Sequence, residues 1–196
     1  MLEEYLDLQN EIHNEMDDKR FIHTLGVAYT ASALAMAHGE DFKRAFLAGL
    51  LHDCAKRHTN PEFIRICEEH KIPITKSEYE NPFLLHGKLG AYFAKNKYNI
   101  DDEEILAAIT WHTTGKPDMT TLEKIIFIAD YIEPHRRVLP NINTIRETAF
   151  ADLDKAMVLI SGNILKYLED GGSSIDNTTR DTYNYYLSIC KEAGKV

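Results

Sequence analysis

The chain has 196 residues, is 44% apolar, and contains only 10 Gly and 6 Pro, which suits one sizeable helical domain better than a many-stranded one. Its formal net charge of −9 argues against nucleic acid polymers as partners, because affinity for them comes from Lys and Arg meeting phosphates, but leaves room for a small anion in a local basic pocket. Cys54, Cys67 and Cys190 form no CxxC pair and read as reduced thiols of a cytoplasmic protein, and the acidic start MLEEYLDLQ is unlike a secretory signal.

Leu2, Leu6, Ile12 and Met16 predict a first amphipathic helix. Asp17 or Asp18 opens a second, which Gly39 closes. Residues 21–39 carry no Asp, Glu, Lys or Arg, yet their Ser, Thr, His and Gly, and Ala in place of Leu, predict a buried helix and no membrane association. Residues 41–56 read as a central helix, apolar all round. Pro61 starts a short fourth helix ending near His70. A polar loop follows, then helices near 84–97 and 102–112.

Thr120 and Glu123 make a capping-box pattern before LEKIIFIADYIE, a helix that Pro134 ends. Thr144 and Glu147 repeat the pattern for one long helix reaching Gly171-Gly172, and a last helix lies near 179–192. The expectation is an all-α chain of about nine helices, with no convincing strand pair.

Several polar residues interrupt the least polar segments. Arg20, His23 and Gly26 share one helix face, where the glycine weakens the helix by roughly 1 kcal/mol; room for a bound group and close helix packing both account for it. GLLHDCAK ends an apolar run in His52 and Asp53. Gly49 and Lys56 flank the Asp, offering space and a cation. A buried carboxylate must be paired or bind a metal, and an ion pair with Lys56 is the plainer alternative.

IIFIAD ends a second apolar run in Asp130, and His86 (LLHGKLGA) and His112 (AITWHTTG) add imidazoles at apolar helix ends. His13, His38, His58 and His70 read as solvated, and Cys54 as a structural thiol. Imidazole with carboxylate and no thiolate suits Fe, Mn, Zn or Co rather than Ca.

His23, His52-Asp53 and Asp130 reproduce in order the H…HD…D signature of the HD superfamily, all-α metal-dependent phosphohydrolases. RFIHTLGV, GLLHDCAK, LLHGKLGA, AITWHTTG, KIIFIADYIEPHR and TTRDTYNYY together resemble the YqeK-type family, the symmetrical bis(5'-nucleosyl)-tetraphosphatases, over about residues 17–186. The resemblance implies a single HD domain over 1–196, with a core at about 17–135 and helices at 143–192 completing the nucleotide site. It implies a bacterial enzyme that cuts diadenosine tetraphosphate into two ADP, with ADP or GDP as product-like ligand.

The metal implied is iron, with Mn, Co and Zn as alternatives, as one ion or two, held by His23, His52, Asp53 and Asp130. Asp53, Lys56, His86 and His112 would be catalytic, the two imidazoles facing the phosphates or a second metal position. Substrate contacts would come from Arg20, His23, Lys56, His86, His112, Thr113, Asp130 and Arg136. A loop of Ser173, Ser174, Ile175, Asp176, Asn177 and Thr178 would close over the nucleotide. Tyr183, Tyr185 and Tyr186 line either a core or an interface, a homodimer being the partner expected in the second case. The rival readings are an HD phosphohydrolase for a nucleoside triphosphate, monophosphate or cyclic nucleotide, and a non-catalytic nucleotide sensor.

Overall fold

Asp17 decides where the longest helix begins. Its carboxylate accepts from the Arg20 N–H at 2.9 Å and caps α2 (Asp18–His38), which ends where Gly39 turns into the left-handed region at φ 72°. The computed structural model describes residues 2–136, 139–172 and 175–195. Among them stand eleven α-helices and no strand, so the all-α expectation is met with two helices more than counted.

α1 (Leu2–His13) precedes α2, and α3 (Phe42–Leu51) packs along it. The uncharged stretch of α2 is buried on one face only. Val27, Ala28, Ala31, Leu34 and Ala35 are inside, while Ile22, Tyr29 and Met36 remain exposed. Contact between α2 and α3 is backbone-close: a Cβ on Gly49 would stand 2.8 Å from the Ala28 Cα. The space at Gly49 is thus taken by a helix, not left for the Asp53 side chain.

The central helix is shorter than the expected 41–56. After Leu51 the chain tightens into i→i+3 turns, with Cys54 N–H bonding Leu51 O at 3.1 Å and Lys56 N–H bonding Asp53 O at 2.9 Å. The Gly49 carbonyl, which a continued helix would use for the Asp53 N–H, accepts from the His52 ring at 2.7 Å.

α4 (Asn60–Glu69) carries Pro61 in its first turn. The segment expected to be a loop contains a short α5 (Lys76–Glu80), opened by a Thr75/Glu78 capping box, and a 3-10 turn at Pro82–Leu84. α6 (Leu85–Asn96) and α7 (Glu103–Trp111) pack on each other near their expected positions. α8 (Thr121–Ile132) opens with the expected Thr120/Glu123 box and buries Leu122, Ile125, Ile126, Ile128 and Ala129 completely.

The one long helix expected after Thr144 is two, α9 (Ile142–Ala151) and α10 (Leu153–Asp170). Asp152 breaks it. It is extended (φ −156°, ψ 104°), and its carboxylate caps α10 by accepting from the Lys155 N–H at 3.1 Å. α11 (Asn177–Glu192) packs on α10. Tyr186 is buried and its hydroxyl accepts from Met119 N–H at 3.0 Å, while Tyr183 and Tyr185 pack half-buried against the core. These tyrosines therefore serve the core. No helix among the described residues is long and apolar enough to cross a membrane.

Candidate metal centre and substrate cleft

Five segments meet at Asp53. α2 supplies Arg20 and His23, the end of α3 supplies His52 and Asp53, α6 supplies His86, the end of α7 supplies His112, and α8 supplies Asp130. Asp53 is 1% exposed and its two oxygens face different neighbours. Oδ2 lies 2.9 Å from Arg20 Nη1, 3.6 Å from His52 Nε2 and 3.9 Å from His23 Nε2. Oδ1 lies 3.2 Å from Lys56 Nζ and 3.6 Å from the Nε2 atoms of His86 and His112. Asp130 Oδ1 lies 3.1 Å from His23 Nε2 and 3.7 Å from His52 Nε2, and also meets the Arg136 guanidinium.

The ring protons of the four imidazoles are fixed by their partners. His52 Nδ1 bonds the Gly49 carbonyl and His112 Nδ1 the Ile109 carbonyl, each at 2.7 Å; His86 Nδ1 bonds the Phe83 carbonyl. His23 Nδ1 bonds Glu133 Oε1 at 3.0 Å. Carbonyl and carboxylate oxygens only accept, so each Nδ1 carries hydrogen. In the neutral rings of His52, His86 and His112 the Nε2 is then a lone pair, whereas His23 Nε2 bonds the Asp130 carboxylate through hydrogen; all four nitrogens point at Asp53 and Asp130. The His86 and His112 Nε2 atoms are 3.0 Å apart, with the Thr113 hydroxyl 3.0 and 3.1 Å from them. One hydroxyl proton serves only one of the two.

His52 Nε2 and Asp53 Oδ1 are buried and make no hydrogen bond; Oδ1 keeps the ion pair with Lys56, whereas the unbonded His52 nitrogen costs on the order of 1–3 kcal/mol. The set is therefore rich in acceptors and short of donors, as a cation site is. Within each of two sets, His23–His52–Asp130 and His52–Asp53–His112, the donor atoms all lie within 4.8 Å of one another. Nitrogen and carboxylate donors together fit a divalent first-row transition metal or zinc.

The electrostatics agree with that fit. Burial pushes His52 down to about 4, against the opposing charges of Asp53 and Asp130. Burial, then the nearby His112 and Lys56, push His86 down to about 3. Both rings are neutral at physiological pH. His23 moves the other way: burial lowers it, but the bond and charge of Asp130 raise it further. Burial also resists ionisation of both aspartates. His52 and Lys56 outweigh it at Asp53, and the bond from His23 with the charge of Arg136 outweighs it at Asp130, so both stay well below the usual carboxylate range.

The structure thus brings together His23, His52, Asp53, Asp130, His86, His112 and Thr113. The ion pair between Lys56 and Asp53 is present as well, joined by Arg20. A cleft open to solvent reaches the centre; Arg20, His23, Asp53, Lys56, His135 and Arg136 line it. Asp176 and Thr178 lie elsewhere, along a smaller cleft with Lys88, Trp111, Thr113 and Thr114. Asp176 spends its carboxylate on the Thr178 N–H as the cap of α11, Ile175 is half-buried, and Asn177 is exposed. Ser173 and Ser174 lie outside the described residues.

Of the histidines expected to be solvated, His70 is exposed, whereas His38 bonds the Ala149 carbonyl and His58 buries Nε2 beside Phe63 and Phe93. Cys54 is a buried thiol pushed up to about 12 by burial, in keeping with a structural role. Glu133, 1% exposed, is a residue that neither motif nor helical spacing picks out. Its signal was Gly26: a Cβ there would stand 2.5 Å from Glu133 Oε2, so the glycine makes room for a carboxylate.

Residues 20–135 match the family model of the HD domain. The chain is 37% identical over 177 residues to the symmetrical bis(5'-nucleosyl)-tetraphosphatase of Bacillus subtilis, covering 90% of this chain and 94% of that one. It is 38% identical to the protein of that name from Halalkalibacterium halodurans, covering 88% and 91%. The crystal structure of an HD-superfamily hydrolase from Clostridium acetobutylicum, described as involved in NAD metabolism, matches with 40% identity and a TM-score of 0.91, covering 94% of this chain and 97% of that one.

Proposed function

Because this chain belongs to the HD-domain family, among the symmetrical bis(5'-nucleosyl)-tetraphosphatases, we propose that it hydrolyses diadenosine tetraphosphate at its central anhydride and releases two ADP. The observation that carries the reading is the convergence of four imidazole Nε2 atoms on the buried Asp53, beside a cleft lined with Arg20, Lys56 and Arg136.

His23, His52, Asp53 Oδ2 and Asp130 would hold one divalent ion, which we assign as iron, with Mn, Co and Zn as alternatives. Such an ion supplies charge for a phosphoryl oxygen and a water whose pKa falls from about 16 to about 7. His86, His112 and Asp53 Oδ1 are arranged to take a second cation or to face the phosphates. His52 and His86, at about 4 and about 3, hold no competing proton at neutral pH.

Four linked phosphates bring several negative charges into the cleft. Lys56 stands on the Oδ1 side of Asp53, Arg20 on the Oδ2 side and Arg136 against Asp130, so cations flank the centre in more than one direction. The two guanidiniums suit bidentate contact with phosphate oxygens, and the ammonium acts as a compact charge. Thr113 Oγ1 can donate its proton to a phosphoryl oxygen beside the His86–His112 pair. Thr182 stands against that turn, its hydroxyl 3.2 Å from the Thr114 carbonyl and 2.7 Å from the Thr178 carbonyl of its own helix. We therefore place α10 and α11 as the support of the nucleotide side, with Asp176 and Thr178 along the smaller cleft.

Chromatography of the products from diadenosine tetraphosphate tests the reading. ADP alone is expected. ATP with AMP, or no turnover by metal-loaded protein, refutes it, and tight nucleotide binding without turnover would indicate a sensor. Asp53→Ala is expected to lose both bound metal, by elemental analysis, and turnover.

A further inference from the structure

We propose that Glu133 is the positioning residue of this centre: seated in the space left by Gly26, its carboxylate holds the His23 ring by Nδ1–H and sets how strongly His23 binds a divalent cation. The inference rests on the metal reading above and extends it to a residue that is no ligand.

His52 and His112 stand at the C-caps of α3 and α7, where the last carbonyls of a helix lack N–H partners, and each ring takes the carbonyl three residues before it. His86 follows the 3-10 turn and uses Phe83 O likewise. His23 has no such recourse. It is the sixth residue of the 21-residue α2, where the preceding carbonyls serve the helical ladder. Its partner must come from another element, and Glu133 supplies it from 110 positions along the chain.

The surroundings of Glu133 are built for that contact. Oε1 accepts from His23 Nδ1–H at 3.0 Å, and the His135 N–H donates to Oε2 at 2.6 Å. From α9, Arg146 donates to the Ile132 and Glu133 carbonyls at 2.9 and 3.2 Å and fixes the main chain at the end of α8. Across the cleft wall, any side chain at position 26 would collide with the carboxylate, since a Cβ there falls 2.5 Å from Oε2 and 3.2 Å from Cδ. A helix-weakening glycine and a buried carboxylate thus explain each other. A carboxylate on the far ring nitrogen fixes the tautomer, orients the ring and raises the basicity of the ligating nitrogen.

Both carboxylate oxygens accept, from two separate donors. Glutamine at position 133 has a single acceptor oxygen. It must either give up the His135 N–H or turn its amide N–H to His23 Nδ1. The second choice drives the ring proton to Nε2, onto the atom that faces the metal.

The test is a Co²⁺ titration of the metal-free full chain, followed by visible absorption with a competing chelator, alongside far-UV circular dichroism. Glu133→Gln and Gly26→Ala are expected to bind Co²⁺ about 10–100-fold more weakly with unchanged helicity and altered visible bands. Gly162→Ala, in α10 near Tyr183, should bind as wild type does. With Glu133→Ala as background, Gly26→Ala should add no further loss, because the glycine acts only through the carboxylate. Wild-type affinity in Glu133→Gln, or an undiminished effect of Gly26→Ala without Glu133, overturns the proposal while the metal reading stands. Failure of the wild-type protein to bind Co²⁺ overturns the metal reading and this inference with it.

Discussion

His52 and His86 are buried rings that resist protonation, and this has a consequence for stability. An unfolded His takes its proton near pH 6.5, whereas His52 in the fold waits until about 4. Between those values the unfolded chain binds more protons than the folded one, so metal-free stability falls as pH drops through that window. The gap at His52 corresponds to about 3 kcal/mol. His23 has the opposite sign: its raised pKa contributes stability below 6.5 that is lost as pH rises through the folded value. We expect the urea midpoint of the metal-free protein to fall from pH 7 to pH 4.5, and to fall less in His52→Gln; equal slopes in the two proteins would contradict this. The residue types were readable in GLLHDCAK and IIFIAD, because a carboxylate in an apolar run needs a partner. The Nδ1 bonds were not. They depend on His52 standing beyond the last turn of α3 rather than inside a helix running to Lys56, and that boundary is set by the ring's own bond to Gly49.

At the scale of elements, α2 and the end of α3 carry three of the four candidate metal ligands, and the separation of the two helices is set by Gly49 against the backbone of Ala28. Backbone does not yield as a side-chain tip does. Gly49→Ala should overpack the contact and cost about 1–3 kcal/mol. It should also weaken Co²⁺ binding, because His23 rides on one helix and His52 with Asp53 on the other. Thermal unfolding and metal titration of that variant check both effects, and a loss of stability with unchanged affinity would separate them. Helix ends with short-range chemistry, such as Asp17, Gly39 and Thr120 with Glu123, were visible in the sequence and stand where expected. Asp152 was not recognised, because its cap lies inside a continuous helical period and only the extended backbone there reveals it. Glu133 was passed over for a related reason: its partner is 110 positions away, beyond any helical spacing.

Across the whole molecule, the candidate ligands come from segments that otherwise meet only by packing. A divalent ion at Asp53 would tie α2, α3 and α8 together, so its removal should be felt globally. At free Co²⁺ a hundredfold above Kd, mass action adds about 2.7 kcal/mol. For a chain of this size that raises Tm by about 5–10 °C, measurable by calorimetry before and after dialysis against chelator. An unchanged Tm would argue against a site formed in the fold. The all-α class was legible because helical periodicity and caps recur along the chain, whereas the grouping around Asp53 depends on long-range packing. That grouping also distributes mutational robustness unevenly. His52, His86 and His112 hand their ring protons to the main-chain oxygens of residues 49, 83 and 109, and every amino acid carries that oxygen. Where the ring protons sit is therefore insulated from drift in side-chain identity at three histidines, and at His23 it hangs on the inheritance of one glutamate.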